Sequence, residues 1–363
     1  MNIDMHELLD VATSDQPPPR DTVDHVVAAG RRRTRRALAQ RTGVLGGVVA
    51  VAVAAALVWQ SAVPRAGAGD RAPIAADRPG GGPAFVTTFA GYAVGDFRVG
   101  APAQVTPGYQ TATVFHDNMV VGEGDPITRQ VGSLSVYRPG AFRPEVFQHG
   151  TALTVNGRPA FQAEISYTVN QLDRRTGTGT PTPVPHVDVA IAWQYADDAW
   201  AVIRGGTAPG FDVPAATLLR LAERFAPGTS AAVKVPYTAG YLPAGWALAS
   251  AGPHLPIDNE DGSTISWVAF TRSGVSFTGL TEPVDLLGVP SLSIVVGRRG
   301  TENPVSTPCP PGEHFCQYPI TGTDYYVEVV SGALPADELA NIAEHLVFDD
   351  LTRPDTWHDA AGL

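Results

Sequence analysis

From Gly43 to Val63 the chain reads GVLGGVVAVAVAAALVWQSAV, apolar at nearly every position and without a charge. At the helical rise these residues reach about 31 Å, the thickness of a bilayer's hydrocarbon core. A helix satisfies its own backbone in lipid, so the run predicts a transmembrane helix over 43–63. Beyond it the pattern turns periodic. Leu218, Leu221, Ala222 and Phe225 follow Asp212-Val213-Pro214-Ala215, and Leu339, Ile342, Ala343 and Leu346 follow Leu334-Pro335-Ala336-Asp337. Both sets keep the i, i+3, i+4, i+7 spacing of one buried helical stripe, opened by a proline. The offset between them is 121 residues throughout.

The strands upstream repeat as well. Asp198 to Ile203 and Asp324 to Val329 each read as an aromatic-rich strand before a helix, and Ser133-Leu134-Ser135-Val136 answers Ser291-Leu292-Ser293-Ile294. Pro107-Gly108-Tyr109 and Pro243-Ala244-Gly245-Trp246 are taken as the openings of the two units. A duplication is the simplest account. The expected class is α+β, with one transmembrane helix followed by two repeated domains, each an antiparallel sheet with a C-terminal helix on one face. The predicted boundaries are a cytoplasmic tail at 1–42, the membrane helix at 43–63, a Gly/Ala/Pro linker at 64–83, domains at 84–229 and 230–350, and a tail at 351–363. Asn156-Gly157 marks a type I′ hairpin. Asn170 to His186, rich in Thr, Gly and Pro, reads as a long insertion, disordered or functional.

Charge fixes the expected orientation. Arg31, Arg32, Arg33, Arg35, Arg36 and Arg41 precede the apolar run, which under the positive-inside rule keeps the N-terminus cytoplasmic and sends the remainder outside. Of the formal −11, residues 1–63 contribute seven Arg against six acids, and residues 64–363 contribute 18 Lys+Arg against 30 acids. So acidic an exterior disfavours nucleic acid and anionic lipid as its partners. The Arg cluster reads as a topology signal or as a docking peptide for a cytosolic regulator. A twin-arginine export signal around Arg35-Arg36, cleaved near Ala66-Gly67-Ala68, is the alternative to a retained anchor.

Certain motifs resemble a known group of proteins. VNGRPAF, VAIAWQY, AWAVIRG and a helix ending LAERF look like an extracytoplasmic domain of unknown function found in membrane-anchored, anti-sigma-type bacterial proteins. HELL, PPP and VDHVVAAGRRRTRR before one span look like small actinobacterial membrane proteins of that class. The resemblance implies a single-pass regulator whose tail binds a transcription factor. The zinc-binding His/Cys pattern of many anti-sigma domains is not present, since residues 1–42 hold His6 and His25 and no Cys.

Candidate chemistry is sparse. Cys309 and Cys316, the only cysteines, would form a disulfide in an oxidising compartment; free thiols, or a metal held with His314, are the alternatives. Asp258-Asn259-Glu260-Asp261-Gly262 lacks the closing Glu of a calcium loop and reads as a turn. His116/Asp117 and His186/Asp188 are acid–base neighbours, with a turn expected at the first pair, but neither comes with a Gly-x-Ser-x-Gly nucleophile. Trp193, Trp200, Trp246 and Trp267 read as core or as the lining of an apolar groove for a lipid or peptide. The expectation is a non-enzymatic sensor or binding module in the cell membrane, with no cofactor or metal, facing an envelope ligand or protein.

Overall fold

The structure, a computed structural model, describes residues 84–119, 127–171, 182–206, 213–228, 230–253, 264–272, 275–284, 286, 289–299, 308–310 and 313–363, with backbone alone at 127, 167–171 and 182–186. All of these belong to one compact unit. The predicted span at 43–63 and the arginine cluster lie outside the described residues. Among those described, no helix is long and apolar enough to cross a membrane.

The described chain enters through β1 (Val86–Thr87), β2 (Tyr92–Val94), β3 (Phe97–Val99) and β4 (Gln104–Val105). Next come β5 (Tyr109–Met119), β6 (Ile127–Tyr137), β7 (Thr151–Val155), β8 (Arg158–Gln171), β9 (Thr182–Ala196), β10 (Ala199–Gly205) and helix α1 (Ala215–Arg224). A second half follows with β11 (Ala231–Ala232), β12 (Lys234–Val235), β13 (Tyr237–Ala239), β14 (Ala247–Gly252) and β15 (Thr264–Thr271). It closes with β16 (Ser291–Arg298), β17 (Phe315–Pro319), β18 (Tyr325–Val330), helix α2 (Ala336–Glu344), β19 (Leu346–Phe348) and β20 (His358–Asp359).

An antiparallel sheet runs through both halves in the order β17-β18-β16-β15-β14-β4-β5-β6-β10-β9-β8-β7. Its order is the same read outward from the centre on either side: β4-β5-β6-β10-β9 in the first half, β14-β15-β16-β18-β17 in the second. The halves meet where Ala251 pairs with Val105. What the first half adds along this path is β8 and β7, which extend the sheet beyond β9; off the path, β3 pairs with β5 and β2 with β3.

Strand alternation then sorts the side chains. Val105, Ala112, Val114, Leu134, Ile203 and Trp193 face one way, as do Ala251, Val268, Ile294 and Val329. Both helices cover this face. Leu218, Leu221 and Ala222 of α1 pack on the first half, and Leu339, Ile342 and Ala343 of α2 pack on the second. On the opposite face Tyr109, Tyr137, Trp200, Val202, Trp267 and Val295 form a third cluster, which draws on both halves.

Several expectations are corrected. Leu346 is not helical: α2 ends at Glu344, and Leu346 opens β19, which pairs with β13. Pro107 precedes β5 while Pro243 precedes β14, whose counterpart is β4, so these landmarks are not equivalent. The insertion at 170–186 is partly strand, since Gln171 pairs with Thr182 in a long hairpin; residues 172–181 lie outside the described set. The stretch 351–363 is packed rather than trailing, with Leu351 and Ala360 in the core and β20 paired to β12.

Candidate functional site: an aromatic face under two crossing segments, and two unlike edges

The helix-free face is built from alternate residues of central strands. Tyr109 and Tyr137 are directly paired across β5 and β6. Phe142 stacks on Tyr137 at 4.5 Å, and Phe161 stacks on Trp200 at 6.1 Å. Two segments cover the face: 138–147 from the first half and 275–286 from the second. They meet in parallel at Phe142 and Leu280. There the Arg143 amide donates to the Leu280 carbonyl, and the Leu280 amide donates to the Ala141 carbonyl, each at 2.7 Å.

The second segment is also pinned to the sheet. The Tyr109 hydroxyl donates to the Val284 carbonyl (3.3 Å) and accepts from the Val284 amide (3.1 Å). Gly108 makes the close approach possible, because a Cβ there would collide with Phe277. Trp267 Nε1 donates to the Ala103 carbonyl at 3.0 Å, tying second-half sheet to first-half chain.

Polar groups lie beneath this cover. Arg204, buried at the end of β10, shares the face with Val202 and with buried Asp188 of β9. Burial raises the Tyr137 hydroxyl's pKa, the Arg204 charge opposes that rise, and Glu282 from the covering segment adds to it. Arg204, Tyr137 and Glu282 thus lie within electrostatic reach of one another. Opposite charges inside the layer compensate one another; removal of one would strand the rest. The sequence does signal Arg204, since in AWAVIRG it alternates in phase with Trp200 and Val202. Its ionic surroundings come from distant segments and left no local pattern.

On the same face of the second half, Glu328 of β18 is 8% exposed. Burial pushes its carboxyl up to about 7, and Gln317 Nε2 donates to its Oε2 at 3.2 Å. Its cross-strand neighbours are Val295 and Gln317.

The structure disperses the sequence candidates. Trp193 lies under α1 and Trp246 packs on the α2 cluster, where Arg272 sits over its ring at 5.4 Å. Trp200 and Trp267 are on the other face. The four tryptophans therefore line no common groove. His116 sits within β5 rather than in a turn, and its ring meets Phe97 edge-on at 4.6 Å. Asp117 is held by Arg98 at 3.2 Å and by Thr128, next to a bulge where Asn118 takes φ +61°. Asp188 is buried on β9, three strands and about 14 Å across the sheet from β5; the side chain of His186 is outside the described set. The two acid–base pairs make no joint site. Cys309 and Cys316 form a disulfide, which spends both sulfurs. Among the described residues no cluster of three or more His, Cys, Asp or Glu is arranged to hold a metal.

The sheet's two edges differ. On β17, the 314↔331 and 320↔325 bonds fix the alternation, so Phe315, Gln317 and Pro319 point their backbone groups outward. The Gln317 amide is taken by the Pro308 carbonyl at 2.6 Å, and Pro319 has no amide to offer. The disulfide holds the 308–310 segment in that position. On β7, the Asn156-Gly157 turn has φ of +51° and +76°, the predicted type I′ geometry. Val155↔Arg158 is therefore a bonded pair, and Ala152 and Thr154 point their amides and carbonyls outward. Among the described residues those four groups have no partner.

No protein-family profile and no curated protein matches the chain. Distant solved structures include the MucA/MucB complex of Pseudomonas aeruginosa, 12% identical, covering 73% of this chain and 93% of that one at a TM-score of 0.19. MucB in complex with MucA(peri) is 11% identical, with coverage of 73% and 93% and a TM-score of 0.19. MucB itself is 12% identical, with coverage of 73% and 92% and a TM-score of 0.20. Scores this low carry no argument about function.

Proposed function

We propose that this chain is a non-enzymatic binding module, held at the membrane by 43–63, whose folded part contacts an envelope protein. The observation that supports this is the ribbon at the far end of β8 and β9. Pairing of β8 with β7 stops at Gln162, and pairing of β9 with β10 starts only at Ala190. Among the described residues Ser166–Gln171 and Thr182–Val187 therefore run on as two strands without a third, for about 20 Å. An isolated two-stranded ribbon adds little to its own stability. Its length is better accounted for by contact with another molecule, and Val187 is 51% exposed on it.

The test is a photo-crosslinking side chain at Val187 in the full chain, expressed in living cells, with the same group at exposed Val347 as control. A discrete protein adduct at 187 and none at 347 is expected, together with protease sensitivity of the folded part from outside the cell. No adduct at 187, or protection from external protease, would contradict the proposal.

A second reading rests on Arg31–Arg36 and the N-terminal resemblance: the tail holds a transcription factor, and the folded part acts as its sensor. Capture by a 1–42 peptide that survives physiological salt would support it, and loss of capture with salt would reduce the arginines to a topology signal.

A further inference from the structure

We propose that the β7 edge is a self-association surface, where β7 pairs antiparallel with β7 of a second copy and joins the two sheets across a two-fold axis. The strand is self-complementary. Its outward groups sit at Ala152 and Thr154, symmetric about Leu153. In a two-fold register centred on Leu153, Ala152 lies opposite Thr154 of the second copy and Thr154 opposite its Ala152. All four outward groups of each copy then find partners, four hydrogen bonds in total. Leu153 falls opposite its own mate, on the face that already packs against the α1 cluster.

Charge does not oppose the same occupant. TALTV carries no ionisable side chain, so the two-fold sets no like charges against each other within the strand. At the Val155 end Arg158 is paired with Asp197, and the approach to the Thr151 end carries exposed Arg143 beside exposed Glu145. Each end therefore holds both signs, and antiparallel pairing sets no unbalanced like charge against another. By contrast, the opposite edge at β17 has its strap and its proline, and offers no such surface.

The test uses the full chain in detergent micelles, with Leu153→Cys as reporter. In the proposed register the two Leu153 positions form a non-bonded pair with Cα atoms about 4.5 Å apart, close enough for a disulfide. Under mild oxidation Leu153→Cys should yield a covalent dimer and Ala152→Cys should not, because residue 152 faces residue 154. Adding Ala152→Pro, which deletes an outward amide and no inward bond, should weaken dimerisation about thirtyfold and abolish the cross-link. Sedimentation equilibrium of the unmodified chain reads the same association without any added cysteine. A monomer at every concentration, or a dimer indifferent to Ala152→Pro, would overturn the proposal. So would cross-linking of the Leu153→Cys variant to a different protein, which would make the edge a site for a foreign strand.

Discussion

The two ends of the sheet end differently. At β17 two of the three outward positions lack a free amide: Pro308 takes the one at Gln317, Pro319 has none, and a disulfide fixes the strap. At β7 an uncharged strand leaves Ala152 and Thr154 open. Yet the strand order leading to each end is shared up to β9 and β17. The difference therefore arises after the common architecture, from one added hairpin on one side and one cross-linked segment on the other. Unpaired edges invite association, and natural proteins blunt them with prolines, charges or covers. Here one edge is blunted and the other is not, which leaves the first half's edge the more open to association.

If this contrast concerns edges alone, the cores beneath should respond alike. Leu221→Ala under α1 and Leu339→Ala under α2 each empty a fully buried site. Both should cost about 3 kcal/mol in denaturant unfolding. A twofold or larger disparity would show that the halves differ in packing as well as in their edges.

Next in size is Glu328, beside the guarded edge. Its folded pKa of about 7 lies above the ordinary value of 4.5. The folded state thus holds a proton that the unfolded state has released between those values, so stability falls as pH rises from about 4.5 to about 7 and is flat above. Glu328→Gln should remove that fall and stabilise the protein at pH 8 by about 3 kcal/mol. Unfolding curves across pH check this; an unchanged pH slope would count against burial of an uncompensated carboxyl.

The disulfide closes a loop of sequence separation 7. Its removal by Cys309→Ser/Cys316→Ser should cost about 2–3 kcal/mol in the chain-entropy account. Without it the 308–310 strap loosens, and light scattering should then report concentration-dependent association through the newly exposed edge. Stability loss without association would mean that Pro319 alone suffices as a guard. Smallest is Gly157→Ala: at φ +76° a Cβ costs about 1 kcal/mol, and faster amide exchange should appear at Val155 and Leu153 but not in β17.

How much of this was legible follows from the range of the interactions. Both helices announced themselves through a proline and a four-residue stripe, and the hairpin through Asn-Gly, because those signals are local. The alternation of Trp200 and Val202 likewise foretold a strand. The end of α2 is hidden in the sequence because Leu346 keeps the helical spacing but opens β19, where it pairs with Ala239 of β13. Strand in the 170–186 stretch was hidden by its Pro and Thr composition: prolines are tolerated in a ribbon where their missing amides point away from the partner strand. The four tryptophans looked like one group because sequence does not say which face an isolated ring takes. Arg204 and Glu282 come from segments 78 residues apart, and the meeting of 138–147 with 275–286 leaves no trace in either segment alone. The edge contrast was half visible: the cysteine pair stands in the sequence, but its effect depends on the register that aims Gln317 at Pro308 and leaves Pro319 outward.

Amide hydrogen exchange of the full chain, measured across a concentration series, tests the contrast most directly. Gln317 should be protected at every concentration while the disulfide is intact, and Ala152 and Thr154 should exchange at nearly unstructured rates when dilute and become protected as concentration rises. Protection of Ala152 and Thr154 at all concentrations, or exchange as fast at high concentration as at low, would contradict the account of an open edge that associates.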